Sequence, residues 1–111
     1  MKPIKLWIDD VREAPEDFKW HKTTDDAIFQ LICVYLSRSD TEISLDHDAG
    51  EYAYFGGDYI EILKYLEEQA HTIASWKYWL RDHVTFHIHS MNPVGVQNMR
   101  AIIQKNGWKM I

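Results

Sequence analysis

Acidic residues directly follow two short stretches of the sequence that are interpreted as strands. Asp9 and Asp10 follow the run Ile4 to Ile8, and Asp46 follows the run Glu42 to Leu45. Carboxylates that lie within a few ångströms of one another raise each other's pKa unless a cation compensates their charge. A hard divalent ion such as Mg²⁺, held by one or two carboxylates and by water, is the usual solution. The three acids therefore predict a divalent metal site.

Polar residues also follow the alternating run Val84 to His89. Ser90 and Asn92 come next, and Asn92 suits the N-cap of a helix whose first position is Pro93. The first turn of a helix leaves free backbone N–H groups that can hold a phosphate oxygen. The sequence thus predicts a phosphate site beside the metal site.

Apolar runs with strand spacing and helix spacing alternate along the chain. The predicted strands are Ile4 to Ile8, Phe18 to Lys22, Glu42 to Leu45, Val84 to His89 and Trp108 to Ile111. The predicted helices run from the N-cap Thr24 to about Arg38, from the cap Asp58 to Ala70, and from Asn92 to Asn106 and Gly107. Residues 71–83 are interpreted as a second helical piece or a packed excursion.

This alternation predicts an α/β fold with a mostly parallel five-stranded sheet. Right-handed crossovers would place helices on both faces of the sheet, giving a three-layer sandwich. The stretch from Asp9 to Phe18 is too short for a helix between the first two strands. Ligands of open parallel sheets bind where the strands end, so the metal and phosphate residues are expected at one edge.

Length and composition narrow the function. The 111 residues predict a single domain spanning 1–111. The net charge of −5 disfavours binding to a nucleic-acid duplex, and no apolar run is long enough to span a membrane. The one cysteine, Cys33, lies in an apolar stretch and is expected to be a small buried side chain. A chain with neither a disulfide framework nor a signal peptide is expected in the cytoplasm.

Three motifs resemble one known family over nearly the whole chain. They are Leu6-Trp7-Ile8-Asp9-Asp10-Val11-Arg12, Ser44-Leu45-Asp46-His47-Asp48 and His89-Ser90-Met91-Asn92-Pro93-Val94-Gly95, with Met99 following. The acids and the serine resemble the phosphoacceptor site of response-regulator receiver domains, whose fold is flavodoxin-like. The full motifs are closer to an offshoot of that fold, the cyclic-phosphate processing receiver family. The resemblance implies a receiver-like fold that lacks the usual first helix.

The resemblance also implies roles for the site residues. Asp9 and Asp10 would bind the metal, Mg²⁺ or Mn²⁺, and Asp46 would be a further ligand or a nucleophile. Ser90 would contact the phosphoryl group, and any ligand contact by Asn92 would be secondary to its role as a helix cap.

Arg12, His47 and His89 would distinguish this family from true receivers. Arg12 can brace a phosphate with two parallel hydrogen bonds, or it can form a salt bridge with the acidic residues. A histidine with a pKa near neutrality can act as a general acid or base in opening a cyclic phosphate. The catalytic set implied is Asp46, His47, His89 and Arg12.

Three functions fit these residues. The first is a metal-dependent phosphoesterase acting on a cyclic phosphate or cyclic nucleotide. The second is a binding module that sequesters a small phosphorylated ligand, such as a nucleotide, with help from the aromatic loop Tyr52 to Phe55. The third is a stand-alone receiver-like signalling domain phosphorylated on Asp46. The missing helix disfavours the third, as does the position of Lys109, the only candidate for the lysine of receivers.

Overall fold

The computed structural model describes residues 2–111 and contains the predicted alternation of strands and helices. The strands are β1 (Ile4–Ile8), β2 (Lys19–His21), β3 (Thr41–Leu45), β4 (Val84–Ile88) and β5 (Lys109–Met110). The helices are α1 (Thr24–Ser37), α2 (Ile60–Thr72), α3 (Ala74–His83) and α4 (Pro93–Lys105), with a 3₁₀ turn at Gly50–Tyr54. Residues 71–83 are therefore mostly helical, as the first of the two interpretations proposed.

The strands form one parallel sheet in the order β2-β1-β3-β4-β5. This confirms the predicted α/β receiver-like class. From β2 onward every crossover moves in the same direction across the sheet, so right-handed connections place all four helices on one face. The second helical layer expected from the sequence is therefore not formed within residues 2–111.

The two faces of the sheet differ in chemistry because side chains alternate along each strand. Leu6, Ile43 and Phe86 lie side by side in register and are fully buried in the core beneath the helices. Trp7 and Ser44 lie side by side on the other face, which carries mainly polar side chains. This polar face needs no helix to cover it.

The segment between β1 and β2 lies over part of the polar face. It forms bends and turns without a helix, as predicted. Phe18, at its end, packs edge-on against Trp7 with ring centroids 5.7 Å apart. The ammonium group of Lys5 lies 5.4 Å from the centre of the Phe18 ring. Phe18, rather than a helix, therefore packs on Trp7 at this part of the polar face.

Two predicted helix caps are wrong. The N-cap of α1 is Thr23, whose hydroxyl accepts from the backbone N–H of Asp26. Thr24 is buried instead, and its hydroxyl donates to the carbonyl of Gly57 at 3.0 Å. Asp58 does not cap α2, because its carboxylate accepts from the backbone N–H of Ala49.

The start and end of α4 agree with the sequence analysis. Asn92 is the N-cap, with its side chain accepting from the N–H of Gly95 at 3.0 Å, and Pro93 takes the first helical position. Gly107 follows the helix with a φ of 70°. The expectation for Cys33 is wrong, since it lies on the exposed side of α1. Within residues 2–111, no helix is long and apolar enough to cross a membrane.

Candidate metal and phosphate site

Backbone hydrogen bonds hold the site residues in a row just beyond the ends of three strands. The N–H of Asp46 donates to the carbonyl of Ile8 at 2.9 Å, and the N–H of His89 donates to that of Leu45 at 2.8 Å. The N–H of Asp9 donates to the carbonyl of His21 on the edge strand at 3.3 Å. Backbone hydrogen bonds of the sheet therefore position these residues independently of their side-chain contacts.

The predicted acids come together at this edge. One carboxylate oxygen from each of Asp9, Asp10 and Asp46 lies within 4.8 Å of the other two. We call these three residues the acidic cluster. Burial raises the pKa of Asp10, and the nearby charges of Asp9 and Asp46 raise it further. Oxygen ligands at this spacing suit a hard divalent cation.

The 3₁₀ turn closes the acidic cluster on one side. A β-carbon added to Gly50 would lie 2.5 Å from a carboxylate oxygen of Asp10, and Gly50 has a φ of 56°. Both the space and the backbone conformation therefore favour glycine at this position.

Asp9 is buried, and hydrogen bonds surround it. Its Oδ1 accepts from the backbone N–H groups of Val11 at 3.0 Å and Arg12 at 2.8 Å, and its Oδ2 lies 2.9 Å from His89 Nε2. Burial pushes the pKa of Asp9 upward. The hydrogen bonds from Arg12, Val11 and His89 outweigh it and leave that pKa below its ordinary value.

His89 belongs to a chain of hydrogen bonds on the polar face. Its Nδ1 lies 2.8 Å from the hydroxyl of Ser44, which also lies 3.0 Å from Nδ1 of His87. Trp7 stacks flat on the His89 ring, with centroids 3.8 Å apart. Burial lowers the pKa of His89, and the hydrogen bond and charge of Asp9 offset only part of this effect.

These contacts determine which group donates and which accepts in each hydrogen bond of the series. The carboxylate of Asp9 accepts, so Nε2 of a neutral His89 carries the proton and Nδ1 accepts from Ser44. The Ser44 hydroxyl then accepts from His87. Every donor thus points toward the acidic cluster, and both nitrogens of His89 are engaged within the protein.

A pocket of about 240 Å³ adjoins the acidic cluster. We call it the phosphate pocket; it is lined by Arg12, Asp46, Asp48, Ser90, Met91 and Asn92. The predicted phosphate ligands therefore share one pocket with Asp46. Within residues 2–111 Arg12 forms no ion pair with an acid, and its guanidinium donates to the carbonyl of His89 at 2.9 Å.

His47 lies in the loop after β3, packs against the first turn of α4 and hydrogen-bonds a carboxylate. Its Nδ1 is 2.8 Å from Oδ1 of Asp48, and this hydrogen bond lowers the pKa of Asp48. The side-chain amide of Asn92 also reaches Asp48 at 3.3 Å. A β-carbon on Gly95 would lie only 2.4 Å from Cγ of His47, so the ring packs directly on the helix backbone.

Lys109 lies near the amino ends of the strands, whereas the acidic cluster lies beyond their carboxyl ends. It pairs with Thr85 near the start of β4, and its Nζ donates to the carbonyl of Asp82 at 2.9 Å. His87 and His89 share one face of the sheet and both contact Ser44, but within residues 2–111 they belong to no group of three metal-ligating side chains. The acidic cluster is therefore the better candidate for a metal.

Three contributors were missed in the sequence analysis: Asp48, Ser44 and Trp7. Asp48 and Ser44 lie at the two ends of the motif Ser44-Leu45-Asp46-His47-Asp48, but the resemblance implies no role for them. Strand alternation was a usable signal, because it places Trp7 and Ser44 on the same face as His89. Asp48 gives no such signal, since it lies in a loop and its second partner, Asn92, is distant in sequence.

The fold and the edge residues define a class, a receiver-like α/β domain with an acidic cluster at the carboxyl ends of its strands. A sequence model of the cyclic-phosphate processing receiver domain matches residues 4–105. The chain therefore belongs to the cyclic-phosphate processing receiver family, as the motifs suggested. Neither the curated proteins nor the solved structures that were compared gave a match.

Proposed function

We propose that this domain is a metal-dependent phosphoesterase that opens a cyclic phosphate with water. The observation that carries the proposal is the contact between two features, the acidic cluster and the phosphate pocket, which share Asp46. A divalent ion, Mg²⁺ or Mn²⁺, would bind Asp9, Asp10 and Asp46, and it would neutralise charge on the phosphoryl oxygens.

The phosphate pocket supplies donors for the remaining phosphoryl oxygens. Arg12 holds its guanidinium at the pocket through the carbonyl of His89, and its other N–H groups can donate to phosphate. The Ser90 hydroxyl lines the same pocket. Together they orient the phosphorus atom toward Asp46 and the acidic cluster.

His47 is the general base in this proposal. Asp48 accepts from Nδ1, which leaves the lone pair of a neutral ring on Nε2. A water oxygen bonds to phosphorus while its proton moves to Nε2, and one ring P–O bond breaks. The proton then passes from His47 to the released alkoxide, so the products are a phosphomonoester and a free hydroxyl group.

His89 has a positioning role. Since both of its ring nitrogens are hydrogen-bonded, its contribution is to hold Asp9 and, through its carbonyl, Arg12. The family resemblance implies that His89 also acts as an acid or base. In this proposal His47 alone has that role.

The test is chromatography of cyclic mononucleotides, cyclic dinucleotides and cyclic-phosphate ends after incubation with the protein and Mg²⁺ or Mn²⁺. We expect a ring-opened product that disappears with EDTA and in Asp46→Asn. Asp82→Asn is the matched control, because Asp82 lies at the opposite edge of the sheet. Unchanged turnover in Asp46→Asn would contradict the proposal.

One observation favours a second function, sequestration of the same ligand without cleavage. The buried pair of Asp9 and His89 satisfies its own hydrogen bonds and offers no free acid or base. A cyclic phosphate recovered intact at one equivalent per protein, with no product at long incubation, would support this binding module.

A further inference from the structure

An open groove extends from the phosphate pocket along the start of α4. It has a volume of about 500 Å³ and shares Ser90 and Met91 with the phosphate pocket. Its remaining walls come from α4, including Val94, Gln97 and Arg100. We call it the α4 groove. The two spaces form one continuous surface at the carboxyl edge of the sheet.

The α4 groove exposes apolar side chains that the core does not use. Met91 is 85% exposed and Val94 is 66% exposed. Both lie within a few residues of Ser90, so a ligand whose phosphate contacts Ser90 would place its organic part over them. Apolar side chains of this kind, methionine above all, pack well against a flat aromatic ring.

Polar donors lie further along the same groove. Arg100 and Gln97 are both exposed, and within residues 2–111 neither side chain forms a hydrogen bond or an ion pair. Their N–H groups are free to donate to the ring nitrogens and carbonyl oxygens of a nucleobase. The groove therefore combines an apolar floor near the phosphate with donors at its far end.

Size favours the same conclusion. Ligand sites commonly enclose about 300–1,000 Å³. The phosphate pocket alone, at about 240 Å³, is too small for a nucleotide, and the α4 groove adds about 500 Å³. We infer that the α4 groove holds the nucleoside of a nucleoside cyclic phosphate whose phosphate lies in the phosphate pocket. This inference rests on the proposed function.

The exposed aromatic pair of the 3₁₀ turn is the competing platform for a base. Tyr54 is 88% exposed and packs edge-on against Phe55. The Phe55 carbonyl accepts from Asp25 at the start of α1, which places this pair on the side of the site near β2. It does not line the phosphate pocket, so it serves as the control surface.

The first experiment uses protein labelled with ¹³C in its methionine methyl groups. The probes are adenosine 2′,3′-cyclic phosphate and glycerol 1,2-cyclic phosphate, which carries the same cyclic diester without a base. We expect the adenosine probe to shift the Met91 methyl signal through the ring current of the base. Met99, which is fully buried, is the internal reference. The spectrum is recorded while the intact probe is in excess, so that turnover does not empty the site.

Substitutions provide the second experiment. We expect Val94→Ser and Arg100→Gln each to weaken binding of the adenosine probe by about tenfold, the scale of one lost pocket contact. Binding of the glycerol probe should not change, and Tyr54→Ser should affect neither probe. Equal losses for both probes, or a loss confined to Tyr54→Ser, would overturn the inference.

The two experiments separate this inference from the proposed function. If the wild-type protein binds neither probe in Mg²⁺, the proposed function fails and takes the inference with it. If both probes bind and the Met91 methyl signal stays in place, the phosphate pocket stands and the α4 groove is not the nucleoside site.

Discussion

Ser44 supports the proton arrangement that the carboxylate of Asp9 imposes on His89. It is buried in the middle of the sheet and hydrogen-bonds both His87 and His89. With the Ser44 hydroxyl donating to Nδ1, Nε2 of His89 keeps its proton for Asp9. A residue on the polar face of the sheet is thereby linked, through His89, to Asp9 of the acidic cluster.

We predict that Ser44→Ala destabilises the protein by about 1–3 kcal/mol, because Nδ1 of His89 is left buried without a partner. Urea unfolding measures this change. The control is Thr85→Ala on the same face, whose hydroxyl forms no hydrogen bond within residues 2–111. Equal and small losses in the two variants would show that the hydrogen bonds of Ser44 contribute little.

At the scale of single residues, the sequence was informative where a strand end fixed the position. Asp9 and Asp46 follow predicted strands, and parallel pairing then brings them together. The contact of Ser44 with His89 depends on the register between β3 and β4, which the sequence pattern does not define. Arg12 likewise required the folded loop, which places its guanidinium on the carbonyl of His89; its contact with a phosphate stays a prediction.

Side-chain contacts link the end of α4 to α2. The side-chain amide of Asn106, at the end of α4, donates to Glu67 at 2.7 Å, and Lys105 lies 3.5 Å from the same carboxylate. The hydrogen bond from Asn106 lowers the pKa of Glu67, and Lys105 lowers it further. The link therefore helps to hold the carboxyl end of α4 against α2.

This link predicts a dependence of stability on pH. A carboxyl whose pKa is lowered by folding contributes its full stabilisation above its unfolded pKa, about 4.3 for glutamate. The contribution is lost as the pH falls through the lower, folded value. We expect Glu67→Gln to lower the urea midpoint at neutral pH and to flatten its fall in acid.

Glu68→Gln is the matched control for that measurement. Glu68 is the adjacent residue on α2 and is exposed. If Glu67→Gln and Glu68→Gln give the same pH profile, the contact with Asn106 does not contribute to stability.

The elements themselves followed from apolar spacing, but two helix caps did not. Thr23 and Thr24 are both capping types, and the choice between them depends on the bond from Thr24 to Gly57, which is distant in sequence. Asp58 was assigned to α2 on its type alone. Its actual partner, Ala49, lies in the preceding loop.

At the scale of the whole molecule, residues 2–111 form one helical layer because of the strand order. Handedness predicts the side of a crossover only when the positions of the two strands are known. Since β2 lies outside β1, every later crossover runs the same way. The sequence predicted the elements and their parallel pairing, but it could not supply this order.

Lys109 lies near the amino end of β4, remote from the acidic cluster beyond the carboxyl ends of β1 and β3. We predict that Lys109→Met leaves the turnover of a cyclic phosphate unchanged, because Lys109 cannot reach Asp46. A steady-state assay of the purified variant checks this expectation. A large loss of turnover with normal stability would indicate that Lys109 acts as the receiver lysine does.

Whether the acidic cluster binds a divalent metal is tested most directly by the melting temperature with and without Mg²⁺. A ligand that binds only the folded state raises its stability, so we expect Mg²⁺ to raise the melting temperature of the wild type. Asp10→Asn removes one of three clustered negative charges. The variant should therefore melt higher than the wild type without metal and should lose the response to Mg²⁺. If Asp10→Asn melts lower without metal and keeps the full response, the acidic cluster is not a metal site.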